Sequence, residues 1–131
     1  MKLHLVASFS MDAWDSIADE SGATGGPATA RVVLRKTYRG GGLEATSSGH
    51  ALTTRGPRGA SYVAQERIVG SLDGRRGSFV LEHAAAMGDG YETSMRAGVV
   101  PGSGTGALSG ITGAGRVEHE LLTLDVEIPD V

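Results

Sequence analysis

Apolar and polar residues alternate along short stretches of the chain, which is typical of β-strands that bury one face. In the first stretch, Lys2 to Ser10, one face carries Leu3, Leu5, Ala7 and Phe9. The same pattern predicts further strands at residues 30–38, 43–54, 61–70, 77–86, 91–100, 116–119 and 121–128. Helical periodicity is nowhere sustained for the ~10 residues that an ordinary helix needs. The chain is therefore predicted to be all-β, with about eight strands.

Glycine-rich turns separate these stretches. Asp73-Gly74 is a strong hairpin signal, and Gly40–Gly42, Gly88–Gly90 and Gly56–Gly59 predict further reversals. Ala107 to Gly110 is predicted to form one tight turn. Met11 to Thr29, which surrounds the only tryptophan, is interpreted as a long surface loop.

Short antiparallel neighbours joined by hairpins can lie flat, form a sandwich or close on themselves. Closure at about eight strands leaves an interior that side chains fill or that holds one small ligand. We predict a single domain over residues 1–131, a closed eight-stranded antiparallel β-barrel with a small cavity and a long loop after the first strand. The 131 residues suffice for one core.

Composition excludes several classes of function. Cysteine is absent, which excludes disulfides, thiolate zinc sites and a cysteine nucleophile. The net charge is −3 and the basic residues are scattered, so nucleic acid is not an expected partner. The amino terminus has neither a secretory nor a membrane-spanning pattern, so we expect a cytoplasmic protein without a membrane partner.

Two titratable residues are predicted to face the interior. Period-two geometry puts Glu66 on one face with Tyr62, Ala64 and Ile68, while His83 shares a face with Gly77, Phe79 and Leu81. The Asp73-Gly74 hairpin makes these strands neighbours, although a tight register would leave Glu66 and His83 near opposite depths. Such a pair could exchange protons near neutral pH. The alternative is that Glu66 pairs with Arg31, Arg35 or Arg96 in a structural ion pair while His83 lies at the rim.

Further side chains are candidates for the cavity wall. Tyr62 could supply a hydrogen bond and Trp14 a lid, with core packing and loop anchoring as the ordinary alternatives. The remaining ligand-binding candidates are Phe79, Leu81, Tyr91, Met95 and Arg96.

Other chemistry is poorly supported. The four histidines lie far apart in sequence without a metal-binding spacing, so no metal site is predicted. The glycine run at residues 102–106 is not followed by the Gly-Lys-Ser/Thr of a phosphate loop, and no GxSxG elbow is present.

The strings ASYVAQERIVGSLDGRRGSFVLEH and VVPGSGTGALSGITGAG resemble a bacterial family known only as domain of unknown function 3224, which is grouped with the allene oxide cyclase-like barrels. Residues 11–15 match the tryptophan-acid pair of that family, whereas residues 50–57 show no family pattern. Residues 104–110 are also similar to a glycine-rich turn of plant dirigent proteins. These resemblances imply an eight-stranded barrel whose relatives guide ring closure of an apolar intermediate without metal or organic cofactor.

Three functions follow as hypotheses. The first is a cofactor-independent cyclase or isomerase for an apolar, polyketide- or lipid-like substrate, with Glu66 and His83 transferring protons and Tyr62 hydrogen bonding. The second is a carrier barrel without chemistry, and the third is a packed barrel that acts through an oligomer surface. An open, polar-lined lumen would favour the first two, and a lumen filled by Ile68, Phe79 and Leu81 the third. A homo-oligomer is expected because outer residues such as Val63, Val69 and Val80 would need cover.

Overall fold

A computed structural model describes residues 1–20 and 22–130, and every regular element in these ranges is a β-strand. Apolar residues recur at every second position because each strand buries one face. The strands are β1 (Lys2–Ala18), β2 (Ala28–Gly40), β3 (Leu43–Gly56), β4 (Gly59–Leu72), β5 (Arg75–Gly88), β6 (Tyr91–Val99), β7 (Thr105–Gly106), β8 (Thr112–Glu118) and β9 (Leu121–Glu127).

The strands form one antiparallel sheet whose hydrogen-bonded ladders run in a ring. The order β4-β3-β2-β1-β9-β8-β6-β5 is completed by pairing of β4 with β5, and the short β7 pairs with β5 alone. Eight strands therefore take part in the ring, as the count from the sequence predicted. Glycines inside strands permit tight coiling: a Cβ at Gly49 would lie 2.1 Å from the carbonyl oxygen of Gln65 on β4.

The predicted hairpin turns are confirmed. Asp73 and Gly74 both have positive φ, 51° and 78°, as a tight hairpin of the favoured twist requires. One turn lacked any glycine signal: His119 and Glu120, with φ of 51° and 61°, join β8 to β9. The turn predicted at Ala107 to Gly110 is also present.

The predicted long loop from Met11 to Thr29 is wrong for its first half, because β1 continues to Ala18 and pairs with β2 as far as Ala18↔Ala30. The pairing of β1 with β2 continues there because a β-bulge between Met11 and Ala13 accommodates one extra residue in β1. Acidic and small residues make the alternation of apolar and polar positions hard to recognise in this segment. The bulge also moves the inward positions of β1 from odd-numbered to even-numbered residues. The connection to β2 is residues 19–27.

One half of the ring interior is packed with side chains. Leu5, Ile68, Phe79, Leu81 and Leu124 are each at most 1% exposed. Leu108 and Ile111, between β7 and β8, and Ile128, after β9, belong to the same apolar cluster and close this end of the ring. We call this cluster, centred on Phe79 and Leu81, the packed half.

In the other half of the ring, the wall of strands is shorter on the side formed by β8 and β9. β9 pairs with β1 only from Lys2 to Ser8, and β8 meets β6 only at Ala97 and Gly98. Among the described residues, Ser10 to Ala18 of β1 pair only with β2, and Tyr91 to Arg96 of β6 only with β5. The wall here consists of β1 to β6 alone, and we call this region the open half. A small apolar cluster, Val32, Leu34, Ala51 and Ala64, lies at its base.

The outer face exposes some of the valines expected to need cover. Val63 and Val69 are about half exposed, whereas Val80 is partly buried beneath the loop after β6, where its amide donates to Ser103 Oγ at 3.0 Å. Across residues 1–20 and 22–130 the structure contains no helix with the length and apolar character that spanning a membrane demands.

Candidate functional site

A cavity of about 500 Å³ occupies the open half. This volume lies within the range of small-molecule sites, roughly 300–1,000 Å³. Most of its wall is apolar or small, and among residues 1–20 and 22–130 Arg55 is the single charged one that lines it. The lining residues are Trp14, Ser16, Ala18, Ala28, Thr29, Ala30, Thr53, Thr54, Arg55, Ala60, Ser61, Tyr62, Ala85 and Met87.

The β-bulge in β1 brings Trp14 to this cavity. Before the bulge the inward residues are odd-numbered, such as Leu5 and Ala7; after it, Trp14 pairs with the buried Leu34 and Ser16 with the buried Val32. One inserted residue thus exchanges the faces of the strand, which is a known use of bulges near binding sites. Trp14 remains 47% exposed at the mouth of the cavity.

A buried polar layer separates the cavity from the packed half. Its centre is the Glu66 carboxylate, which is 1% exposed and accepts hydrogen bonds from three side chains. Lys36 Nζ lies 2.8 Å from Oε2, His83 Nε2 lies 2.7 Å from the same oxygen, and the Tyr38 hydroxyl donates to Oε1. Lys36 also packs over the ring of Phe9, with Nζ 4.2 Å from the ring centroid. Every charge in the layer therefore has a partner, as burial requires.

A chain of hydrogen bonds leads from this carboxylate to the cavity wall. Because a carboxylate only accepts, His83 Nε2 carries the hydrogen in its contact with Glu66. His83 Nδ1 lies 2.9 Å from the hydroxyl of Tyr62, a cavity-lining residue. The Nδ1 atom of a neutral imidazole accepts a hydrogen bond from the Tyr62 hydroxyl, and that of a protonated imidazole donates one to the Tyr62 oxygen. The arrangement Glu66–His83–Tyr62 has the parts of a proton relay: a carboxylate that orients an imidazole, and an imidazole bonded to a hydroxyl.

The protonation of the layer follows from its contacts. Burial alone would raise the pKa of Glu66, but the hydrogen bonds from His83, Lys36 and Tyr38, together with the Lys36 charge, hold it at about 2. Burial, and secondarily the Glu66 charge, raise the pKa of Tyr38 and of Tyr62 above the ordinary tyrosine value. Near neutral pH, Glu66 is thus a carboxylate and both tyrosines are protonated.

The predicted central residues come together. Tyr62, Glu66 and His83 form the hydrogen-bonded chain, and Trp14 lies at the cavity mouth. The expectation that Glu66 and His83 lie near opposite depths is wrong. Ala64 pairs with His83 and Glu66 with Leu81, so the two side chains are diagonal neighbours on adjacent strands.

Other predicted ligand-binding residues lie elsewhere. Phe79 and Leu81 belong to the packed half. Tyr91 is 59% exposed beside the β5–β6 turn, and Arg96 faces outward, with Nη1 3.3 Å from Glu82 Oε1. Met95 is partly buried and contributes with Tyr62 to a smaller depression of about 250 Å³.

Sequence reasoning missed Lys36 and Tyr38. The alternative partners of Glu66 are wrong: Arg31, Arg35 and Arg96 are on the outer face, and His83, only 4% exposed, is not at a rim. A usable signal existed, since Val32, Leu34, Lys36 and Tyr38 share one face by period two. A lysine in an otherwise apolar inward series indicates a buried acidic partner. Within the described parts of the chain, no group of three or more histidine, cysteine or acidic residues could hold a metal ion.

Comparison with known proteins identifies the family of this chain. The sequence profile of a family described as "Protein of unknown function (DUF3224)" matches residues 5–122. The chain belongs to the DUF3224 family. No curated protein matches the chain.

A solved DUF3224 structure resembles the whole molecule. It is the 1.84 Å crystal structure of a protein of unknown function from Shewanella oneidensis MR-1, with 31% sequence identity and a TM-score of 0.84. Each chain is covered to 100%. DUF3224 membership thus establishes kinship and fold for this chain, and the chemistry has to be argued from its own residues.

Proposed function

We propose that the ring is a closed barrel of the allene oxide cyclase-like type that binds an apolar small molecule in its open half and isomerises or cyclises it without a cofactor. The observation that carries the proposal is the hydrogen-bond chain from buried Glu66 through His83 to the Tyr62 hydroxyl at the wall of the cavity. A structural ion pair accounts for the contacts between Lys36, Tyr38 and Glu66, but it does not require the continuation from His83 to a hydroxyl that lines the cavity. The ring of eight paired strands supports the closed-barrel interpretation.

The chain suits proton abstraction next to a carbonyl group. Tyr62 oxygen takes a proton from the α-carbon of the ligand while its own proton passes to His83 Nδ1. This leaves an enolate, a neutral Tyr62 and an imidazolium whose Nε2 faces the Glu66 carboxylate at 2.7 Å. Where a double bond adjoins the enolate, the charge extends to the γ-carbon, and return of the proton through Tyr62 to that carbon completes an isomerisation. Because the pKa of Tyr62 is raised, the two transfers have to be coupled rather than pass through a free phenolate.

The remainder of the cavity contributes shape and low polarity. Small side chains such as Ala28, Ala30, Ala60 and Ala85 leave room for a ligand, and Trp14 supplies a flat apolar surface at the mouth. An apolar wall favours one folded conformation of a flexible ligand and strengthens electrostatic contacts by displacing water.

A carrier without chemistry is the second candidate, favoured by the predominantly apolar and small lining of the cavity. A lumen filled by Ile68, Phe79 and Leu81 would favour a purely structural barrel. These three side chains fill only the packed half of the interior. Homo-oligomerisation stays a prediction, which the half-exposed Val63 and Val69 support.

The test is deuterium incorporation into apolar ketones such as α-tetralone in heavy water, followed by mass spectrometry. We expect the protein to accelerate exchange at the α-carbon, and Tyr62→Phe and His83→Gln each to lower that rate about 100-fold, within the range for general acid–base groups. Tyr91→Phe is the matched control, since Tyr91 is exposed and does not line the cavity.

The outcomes separate the candidates. Exchange that survives both Tyr62→Phe and His83→Gln in folded protein would refute proton transfer through this chain. Ketone binding without exchange, detected by native mass spectrometry, would leave the carrier. Absence of both exchange and binding for a panel of apolar ketones would contradict the enzyme proposal for this substrate class.

A further inference from the structure

Arg55 is the one charged side chain among the residues that line the cavity, and the mechanism does not use it. It belongs to the inward series of β3, with Ala51 and Thr53, and pairs with Ala28 on β2 and Ala60 on β4. Its nearest neighbours on β3, β2 and β4 are the small residues Thr53, Ala28 and Ala60. They leave space around the Arg55 side chain at the rim of the cavity. Its side chain is exposed, so the charge stays hydrated until a ligand arrives.

Nearby acidic groups are engaged by other arginines. Arg31 Nε lies 3.4 Å from Asp19 Oδ1, and Arg58 Nε lies 3.9 Å from Asp89 Oδ2. Glu20 and Glu92 do not line the cavity. Within residues 1–20 and 22–130, Arg55 forms no ion pair. A guanidinium with free donors above an apolar cavity is suited to a carboxylate, which it can bind through two parallel hydrogen bonds.

We propose that the ligand is an apolar molecule with a single carboxylate, that Arg55 binds this carboxylate at the rim, and that the apolar body extends past Thr53 towards Tyr62. This inference rests on the proposed function, because it assigns the substrate class of the same cavity. One cation balances one negative charge, which favours a monoanionic head group.

The register sets the geometry of the ligand. Thr53 pairs with Tyr62, so Arg55 lies two residues further along β3 than the position of the relay. Two residues of strand correspond to about 7 Å. This spacing of backbone positions favours a ligand whose carboxylate and reacting carbon are separated by several bonds, such as a medium- or long-chain acid.

Trp14 provides a local readout, since it is the only tryptophan of the chain and lines the cavity. Its fluorescence is titrated with dodecanoate, dodecanol and dodecyltrimethylammonium, each below its micelle concentration. We expect dodecanoate to bind more tightly than the other two. Arg55→Gln should weaken dodecanoate about fivefold, the size of one favourable exposed charge contact, and leave dodecanol unchanged. Arg55→Lys should retain part of the preference.

Arg58→Gln is the matched control, because Arg58 is an exposed arginine in the β3–β4 turn of the same hairpin and does not line the cavity. Equal affinity for dodecanoate and dodecyltrimethylammonium, or equal weakening of dodecanoate and dodecanol by Arg55→Gln, would overturn the head-group assignment while leaving the cavity as a binding site. Loss of dodecanoate affinity in Arg58→Gln as large as in Arg55→Gln would also overturn it. If none of the three amphiphiles changes Trp14 fluorescence or binds in native mass spectrometry, binding in the cavity fails, and the head-group inference with it.

Discussion

The packed half and the open half of the interior are built from the same strands, yet they are filled in opposite ways. In the packed half all eight strands form the wall, and Leu108, Ile111 and Ile128 close it. In the open half β8 and β9 are missing from the wall, and small side chains leave a cavity of about 500 Å³. Core packing and empty cavity volume are thus separated along the axis of one ring. The layer of Lys36, Tyr38, Glu66 and His83 lies between them, where apolar packing ends.

The largest effect is expected in the boundary layer. Lys36→Met removes the cation beside Glu66 and should lower the free energy of unfolding by about 4 kcal/mol, because a buried carboxylate is left without its counter-charge. The measurement is urea denaturation at pH 7. Lys2→Met is the matched control, since Lys2 is exposed and is the only other lysine in the sequence. If the two variants lost similar free energy of unfolding, the stability of the buried layer would not depend on the Lys36 charge beside Glu66.

Aromatic truncation compares the two halves directly. Phe79→Ala in the packed half should cost about 3–4 kcal/mol through lost burial and a new cavity. Trp14→Ala in the open half should cost about 1 kcal/mol or less, because the side chain is 47% exposed and already borders empty space. Denaturation midpoints of the two variants measure the difference. Equal losses would mean that the open half carries as much of the core as the packed half.

Acid should destabilise the protein through Glu66. Its folded pKa of about 2 is lower than the ordinary 4.5, so its contribution to stability is complete above about pH 4.5 and is lost as the pH falls to 2. The loss over this window is about 3 kcal/mol. Glu66→Gln should be less stable at pH 7 but flatter with pH between 4.5 and 2. A variant with the same slope as the parent protein would assign the acid sensitivity to other carboxylates.

Of the two tyrosines in contact with the layer, the one on the cavity side is expected to contribute less. Tyr62→Phe loses one hydrogen bond to His83 and should cost about 1 kcal/mol. Tyr38→Phe removes a donor from the buried Glu66 carboxylate and should cost about 2–3 kcal/mol. Thermal and chemical denaturation of the pair test the order. A reversed order would place the stabilising contacts of the layer on the cavity side.

Much of the fold was predictable, and the failures have specific causes. Hairpin chemistry at Asp73-Gly74 and Gly40–Gly42 is local, so β2 to β5 were correct to within a few residues. The second half of β1 was missed because the bulge at Met11 to Ala13 reverses the inward face within one strand. The short β7 was missed because two residues carry no periodicity of their own.

For the site, alternation put Tyr62 with Glu66 on one face of β4 and His83 with Phe79 and Leu81 on one face of β5, since period two depends only on strand geometry. The burial of Glu66 and His83 shows that both faces point inward. It could not show that Glu66 and His83 are diagonal neighbours, because that depends on which residues of β4 and β5 pair. Lys36 and Arg55 were overlooked because their significance depends on other strands: Glu66, the partner of Lys36, lies two strands away on β4, and the cavity beside Arg55 exists only in the folded ring.

The sequence by itself determined most of the strands, most of their turns and which residues share a face of a strand, because these follow from contacts between near neighbours in the chain. Only the tertiary structure decided that the ladders join in a ring, that the pairing of β1 with β9 ends at Ser8, and that Lys36 rather than an arginine holds Glu66. The division into a packed and an open half depends on pairings such as Leu3↔Val126, between residues far apart in the chain, which local patterns do not encode.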